Sequence, residues 1–173
     1  MAKLLYQGHG SYRITTNDAK VIYIDPYIGE GYDKKADLVL ITHEHADHNK
    51  TSLLTMDEGT VILRAADMLV DGEYRTATHH GVKVTAVPAY NSYHKPEVCV
   101  GYLIEVDGKL VYASGDTSTT DYMTKLGEMG IDYALLPLDG FYNMGLEEAS
   151  ACAKTLKARH VIPIHVRKSD TGL

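Results

Sequence analysis

The alternation of apolar and polar positions predicts many short strands in the first two thirds of the chain. Runs of β-branched and aromatic residues, separated by Gly, Asn and Asp, predict strands at 3–7, 11–16, 20–25, 60–63, 73–78 and 82–87. Residues 37–42 are almost continuously apolar, which is typical of a strand covered on both faces. Two further strands, 98–106 and 109–114, flank Asp107-Gly108, a dipeptide that favours a tight hairpin turn.

Helical periodicity appears later in the chain. Apolar residues recur at helical spacing in 119–129 and 146–156, and a shorter helix is expected between 47 and 56. Short strands are predicted directly after the two longer helices, at 132–136 and 160–164. This mixture of strands and helices predicts a layered α/β architecture, which some schemes would class as α+β.

Composition narrows the class of protein. The 173 residues suit one domain, expected to span 1–173, and the formal net charge of -6 gives no general attraction to nucleic acid or anionic membranes. The apolar runs are too short to cross a bilayer, and residues 1–20 lack the apolar centre of a signal peptide. Two cysteines do not form a disulfide framework, so we expect a cytoplasmic protein with buried thiols.

Histidine is the unusual component. Three of the nine histidines fall within six positions, in Thr42-His43-Glu44-His45-Ala46-Asp47-His48, directly after the apolar strand. Side chains alternate along an extended segment, so His43 and His45 point the same way. A turn after them would bring Asp47 and His48 to a neighbouring position. The pattern therefore predicts ligands for two metal ions, and its ordinary alternative is a solvated polar turn.

Each metal ion needs about four donors. Three more candidates follow predicted strands: His94, Asp116 in Ser114-Gly115-Asp116-Thr117, and His165 at the end of Val161-Ile162-Pro163-Ile164-His165. The intervening segments are long enough to leave the site and return.

In this order, the His43-x-His45-x-Asp47-His48 motif, His94, Asp116 and His165 resemble the metallo-β-lactamase superfamily over nearly the whole chain. Within it, the chain is similar to the small branch of L-ascorbate 6-phosphate lactonase-like and uncharacterised metal-dependent hydrolases. Local contexts that carry the similarity include Gly8-His9-Gly10, Ile24-Asp25-Pro26 and Leu136-Pro137-Leu138-Asp139-Gly140.

The resemblance implies a four-layer αββα sandwich with a dinuclear site at one edge. His43, His45 and His94 would bind the first ion, Asp47, His48 and His165 the second, and Asp116 would bridge them. Asp47 and Asp116 are accordingly the catalytic candidates. Imidazole and carboxylate ligands without thiolate suit zinc, manganese and iron, and we favour zinc.

The expected chemistry is hydrolysis by a hydroxide held between two metal ions. The substrate is expected to be a small, anionic molecule that carries a lactone, phosphodiester, thioester or amide bond. The alternatives are a nuclease, which the acidic net charge disfavours, and a metal-binding sensor without turnover. Oxygen- or nitric-oxide-reducing di-iron members of the superfamily carry a flavin domain, which this sequence lacks.

Three further expectations concern residues around the ligands. His9 is interpreted as a hydrogen-bonded turn residue, and Asp25 as a carboxylate that orients a ligand histidine. Asn91 and Tyr90 are either pocket or ordinary turn residues. His165 stands close to the end of the sequence, so we expect a partner subunit of a homo-oligomer to cover its strand, or a weak second metal site in a shortened chain.

Overall fold

The structure is a computed structural model, and it describes residues 2–166. Strands dominate it, as the sequence predicts. The strands are β1 (Lys3–Gly8), β2 (Ser11–Thr15), β3 (Val21–Ile24), β4 (Leu38–Ile41), β5 (Val61–Arg64), β6 (Leu69–Val70), β7 (Glu73–Tyr74), β8 (Thr76–His79), β9 (Val82–Pro88), β10 (Val100–Val106), β11 (Lys109–Ala113), β12 (Tyr133–Pro137) and β13 (His160–Ile164). The helices are α1 (Ala65–Met68), α2 (Met123–Leu126) and α3 (Leu146–Leu156), and Thr51–Leu53 forms a 3₁₀ turn.

Two sheets make up most of the molecule. The first has the order β1-β2-β3-β4-β5, and the second has the order β13-β12-β11-β10-β9-β8. In each sheet an antiparallel part joins a parallel part, formed by β3, β4 and β5 in the first and by β11, β12 and β13 in the second. Strands β9 and β11 both run antiparallel to β10, so they end at the same edge of the second sheet.

The two sheets pack face to face around the main apolar core. Ile22 and Leu40 of the first sheet belong to one buried cluster with Val84 and Ile104 of the second. Alternate residues of the same strands, such as Val39, point to the other face of the first sheet and are also fully buried. This confirms the prediction that the apolar run 37–42 forms a strand covered on both faces.

The outer layers differ on the two sides of the sandwich. Helices α2 and α3 cover the second sheet, where Leu126, Cys152 and Leu156 pack against Tyr112 and its neighbours. On the first sheet, the outer cluster is completed by residues of connecting segments, among them Tyr32, Ala36 and Leu54. The α/β sandwich is therefore confirmed, with a helical layer on one side and loops with a 3₁₀ turn on the other.

The structure confirms one of the three predicted helices fully and shortens the other two. The helix 146–156 is confirmed with its predicted bounds, whereas only Met123–Leu126 is helical within 119–129. Thr119 uses its backbone N–H and its hydroxyl to bond Oε1 of Glu148 in α3, at 2.8 Å each. These tertiary bonds replace the first helical turn that the periodicity predicts. The predicted helix within 47–56 is reduced to the 3₁₀ turn.

Asp107 and Gly108 form the predicted hairpin turn between β10 and β11, both with positive φ, 49° and 70°. Among the helices within residues 2–166, none has the length and apolar character that a membrane crossing requires. The predicted cover of the strand before His165 by a partner subunit concerns a second chain, so it stays a prediction, and residues 167–173 lie outside the described residues.

Candidate metal centre

The predicted ligands gather at one edge of the sandwich because each follows the carboxyl end of a strand. The segment from His43 to His48 follows β4, and His165 directly follows β13. Asp116 comes after β11, and His94 comes after β9, which ends at the same edge as β11. Parallel strands end together, and the sandwich brings the ends of both sheets to one place.

Three histidines form the first part of the centre. The ligand nitrogens of His43, His45 and His94 lie within 4.8 Å of one another. Their ring centroids are 4.6 to 4.9 Å apart. His43 and His94 are buried, whereas His45 is exposed at the mouth of the site. This is the set that the resemblance assigns to the first ion.

Four residues form the second part, one more than predicted. Asp47, His48 and His165 are joined by His9, and their ligand atoms also lie within 4.8 Å of one another. Nε2 of His9 is 3.1 Å from Oδ2 of Asp47, and its ring centroid is 3.7 Å from that of His165. His9 is thus the hydrogen-bonded turn residue that the sequence predicts, and its hydrogen-bond partner adds it to the residues around the centre.

Asp116 lies between the two parts. Its Oδ1 is 3.3 Å from Nε2 of His48, and its Oδ2 is 3.3 Å from Nε2 of both His94 and His165. One carboxylate therefore contacts a histidine of the first part and two histidines of the second. That is the position that a bridging ligand requires.

Hydrogen bonds orient three of the imidazoles. The Thr42 hydroxyl donates to Asp25 at 2.6 Å, so it accepts from Nδ1 of His43 at 3.0 Å. Nδ1 of His48 donates to Oδ2 of Asp25 at 2.9 Å, and Nδ1 of His94 donates to Oδ1 of Asn91 at 2.9 Å. Each ring therefore carries its proton on Nδ1 when it is neutral, and Nε2 keeps its lone pair for the centre.

Asp25 has the supporting role expected from the sequence. Besides His48, its carboxylate accepts the backbone N–H of Thr42 at 2.8 Å and is itself buried. The backbone of Gly10 packs against the ring of the same histidine, since a Cβ at that position would lie 2.7 Å from Cε1 of His48. The backbone therefore leaves His48 little room to turn.

A second group of supporting residues links the two parts of the centre. Asn91 holds His94 and also donates from Nδ2 to Oδ1 of Asn143 at 3.0 Å. Asn143 donates in turn to Oδ2 of Asp139 at 2.8 Å, and that oxygen lies 3.0 Å from Nδ1 of His165. A chain of amide and carboxylate groups thus connects a histidine of each part. Asn91 supports the site in this way, and its Oδ1 also accepts the backbone N–H groups of Tyr93 and His94, as in an ordinary turn.

The ionisable side chains of the centre shift one another's pKa values. Burial alone would raise the pKa of Asp116, but the imidazoles of His48 and His94 hold it well below its usual range. Burial and the neighbouring His48 lower the pKa of His43 to about 2, so its imidazole is neutral. Burial opposes a charge on His48, but the carboxylates of Asp116 and Asp25 outweigh this and raise its pKa to about 9.

The donor set fits divalent cations. Nε2 of His43, Nε2 of His48 and Oδ1 of Asp116 are buried, and none of them has a hydrogen-bond partner among residues 2–166. Buried polar atoms are normally paired, and the 3.3 Å approach of Nε2 of His48 to Oδ1 of Asp116 is not a hydrogen bond, so these unpaired atoms favour a cation as their partner. Imidazole and carboxylate groups are suitable ligands for zinc, manganese and iron.

Several other polar residues lie outside the centre. Glu44 is exposed and pairs with Arg64 at 2.8 Å, as expected for a residue that points away from His43 and His45. His79 lies in the edge strand β8, and His160 is exposed and stacks on Tyr133. Neither histidine belongs to the metal-ligating groups found in the part of the chain that the structure describes.

A β-sandwich with a histidine- and aspartate-lined centre at one edge defines the class of metallo-β-lactamase-like proteins. The chain belongs to the beta-lactamase superfamily, whose domain matches residues 3–165. It is 34% identical over 192 residues to a UPF0173 metal-dependent hydrolase of Thermococcus onnurineus, covering 95% of this chain and 84% of the relative. A UPF0173 metal-dependent hydrolase of Thermus thermophilus is 31% identical with the same coverage.

Solved structures agree with this assignment. A protein of Parabacteroides distasonis superposes with a TM-score of 0.84 at 29% identity, covering 99% of this chain and 85% of that one. The metallo hydrolase Igni18 of Ignicoccus hospitalis gives a TM-score of 0.79 at 29% identity, covering 96% and 83%. The chain is thus a metal-dependent hydrolase of this superfamily, as the resemblance implied, whereas its similarity to lactonases stays a prediction.

Proposed function

We propose that the protein hydrolyses a small, anionic substrate with two divalent metal ions held at the described centre. His43, His45 and His94 would hold one ion, and Asp47, His48 and His165 the other. The observation that carries the proposal is the position of Asp116, whose two oxygens face histidines of different parts at 3.3 Å. A centre for one ion would not need a carboxylate in that place.

Divalent ions bound there would supply Lewis-acid chemistry, because they lower the pKa of water towards neutrality and polarise an oxygen of the scissile group. The protein's own contribution is orientation. Asp25 and Asn91 keep protons on Nδ1 of His48 and His94, so that both Nε2 atoms stay directed at Asp116. Asp116 remains ionised, and the neutral His43 keeps a free lone pair.

We favour zinc, with manganese or iron as alternatives, although nitrogen and oxygen ligands without thiolate suit all three and do not choose among them. Candidate substrates are lactones, phosphodiesters, thioesters and amides. A small substrate is favoured over nucleic acid, since the net charge of -6 would repel a polyanion. A sensor without turnover is the main rival from another class.

The test combines metal analysis with a substrate screen. Protein loaded separately with zinc, manganese or iron should approach two ions per chain, and one preparation should cleave a member of a lactone, phosphodiester and thioester chromogen panel. Asp116→Ala should lose more than about nine tenths of the turnover, which is roughly 1.4 kcal/mol of barrier, while His79→Ala should keep it. A maximum of one ion per chain contradicts the dinuclear centre, and two ions without any turnover favour the sensor.

A further inference from the structure

Three aromatic side chains form an exposed cluster, here called the aromatic wall: Tyr93, Phe141 and Tyr142. Their exposed fractions are 53%, 67% and 52%, although all three rings are in contact. The ring centroids of Phe141 and Tyr142 are 4.6 Å apart, and those of Tyr93 and Tyr142 are 5.3 Å apart. The rings thus pack on one another while much of their surface stays in water.

The turn that carries two of these rings is fixed by hydrogen bonds. Oδ1 of Asp139 accepts the backbone N–H groups of Phe141, Tyr142 and Asn143 at 2.7, 2.6 and 3.2 Å. Asn91 donates to the carbonyl of Tyr142 at 2.9 Å. Hydrogen bonds therefore fix the backbone that carries the exposed rings. A fixed apolar patch that is exposed to solvent is a typical feature of a binding site.

The same polar residues hold the metal centre. Oδ1 of Asn91 accepts from Nδ1 of His94, and Oδ2 of Asp139 lies 3.0 Å from Nδ1 of His165. Tyr93 is also the residue immediately before His94. The wall is consequently connected through Asn91 and Asp139 to one predicted ligand of each part of the centre.

We propose that the aromatic wall binds a flat, unsaturated ring of the substrate next to its anionic, scissile group. This inference rests on the proposed function, because the anionic group would be held at the metal centre. Stacking on aromatic rings favours flat rings over saturated rings of similar size. The wall would then select substrates by the group beside the bond that is cleaved.

Calorimetric titration of the zinc-loaded protein with three phosphonates tests the wall without needing turnover. Phenylphosphonate should bind about tenfold more tightly than methylphosphonate, and cyclohexylphosphonate should fall between them. Phe141→Ala and Phe141→Leu should both reduce the preference for phenyl over methyl to about threefold or less, with methylphosphonate binding unchanged. Met129→Ala serves as the matched control, because Met129 is also an exposed apolar residue but lines a different surface depression, together with Gly108 of the β10–β11 turn.

The outcomes separate this inference from the proposed function. Equal binding of methyl- and phenylphosphonate, with two ions bound, overturns the wall and leaves the metal centre standing. Absence of any phosphonate binding despite two bound ions overturns the wall and also the proposed preference for an anionic substrate. If sedimentation shows dimers that Phe141→Ala dissociates, and phenyl and methyl bind equally, the wall is a surface between two copies and the inference is wrong.

Discussion

Nε2 of His9 lies 3.1 Å from Oδ2 of Asp47, and this contact adds a residue to the second part of the metal centre. His9 sits in a Gly-His-Gly turn with a positive φ of 53°. Its backbone carbonyl accepts the N–H of His165 at 2.8 Å. Both its backbone and its side chain therefore hold residues that are proposed to bind the second ion.

Replacing His9 should weaken the second ion selectively. His9→Ala removes the partner of Asp47 and the ring that packs on His165, and residues that support metal ligands typically contribute 10–100-fold in affinity. We expect one of the two zinc affinities to fall by roughly that factor in a competitive chelator titration, while the other changes little.

His79→Ala is the control, since His79 lies in an edge strand of the second sheet. Unchanged affinity for both ions in His9→Ala would show that His9 is not a working part of the centre.

Metal removal should lower stability without unfolding the protein. The main core lies between the sheets and is built from hydrophobic side chains, so it does not depend on the ions. A ligand present at 100 times its dissociation constant stabilises the folded state by about 2.7 kcal/mol. Chelated protein should keep its far-UV circular dichroism at 25 °C but melt several degrees lower, and the midpoint should return on adding zinc. A coincident loss of all secondary structure on chelation would contradict this prediction.

The sequence predicts the strands of the fold better than the contacts within the site. Strand ends could be located because β-branched runs stop at Gly, Asn or Asp, and the structure brings His94, Asp116 and His165 together, as this placement predicts. His9 and Asp139 were not assigned, because their partners lie 38 and 26 residues away in the sequence, and no local spacing reports such contacts. The helix predicted at 119–129 is shorter for the same reason, since Thr119 bonds Glu148 across a gap that periodicity does not detect.

Gly115 is required by two constraints at once. Its φ is +62°, and a Cβ there would lie 2.8 Å from Cβ of Thr42, which precedes His43. Gly115→Ala should therefore destabilise the protein through the left-handed backbone, about 1–2 kcal/mol, and through overpacking, about another 1–3 kcal/mol. Zinc affinity should fall as well, because Thr42 holds Nδ1 of His43.

Gly130 supplies a matched comparison. Its φ is +75°, but no heavy atom of the described residues outside its own chain neighbours would lie within 4 Å of a Cβ at that position. Gly130→Ala should show the backbone cost alone, with normal zinc binding. Urea denaturation of both variants measures the difference, and equal losses of stability would show that the contact with Thr42 does not matter.

Asp132 gives the fold a pH dependence that is separate from the metal centre. Its carboxylate accepts the backbone N–H of Leu110 and the ammonium of Lys109, both at 3.0 Å, and these contacts hold its pKa below the ordinary value of 3.8. A lowered pKa in the folded state means that the carboxylate stabilises the protein fully above pH 3.8 and loses this effect as the pH falls through the lowered value.

Asp132→Asn should therefore be less stable by about 1 kcal/mol at pH 7, and the difference from the parent should shrink in acid. Urea denaturation of the metal-free proteins between pH 7 and about pH 2 measures it, because the loss falls below pH 3.8, with the exposed Glu58→Gln as control. A difference that stays constant over this range would mean that the charge on Asp132 does not contribute.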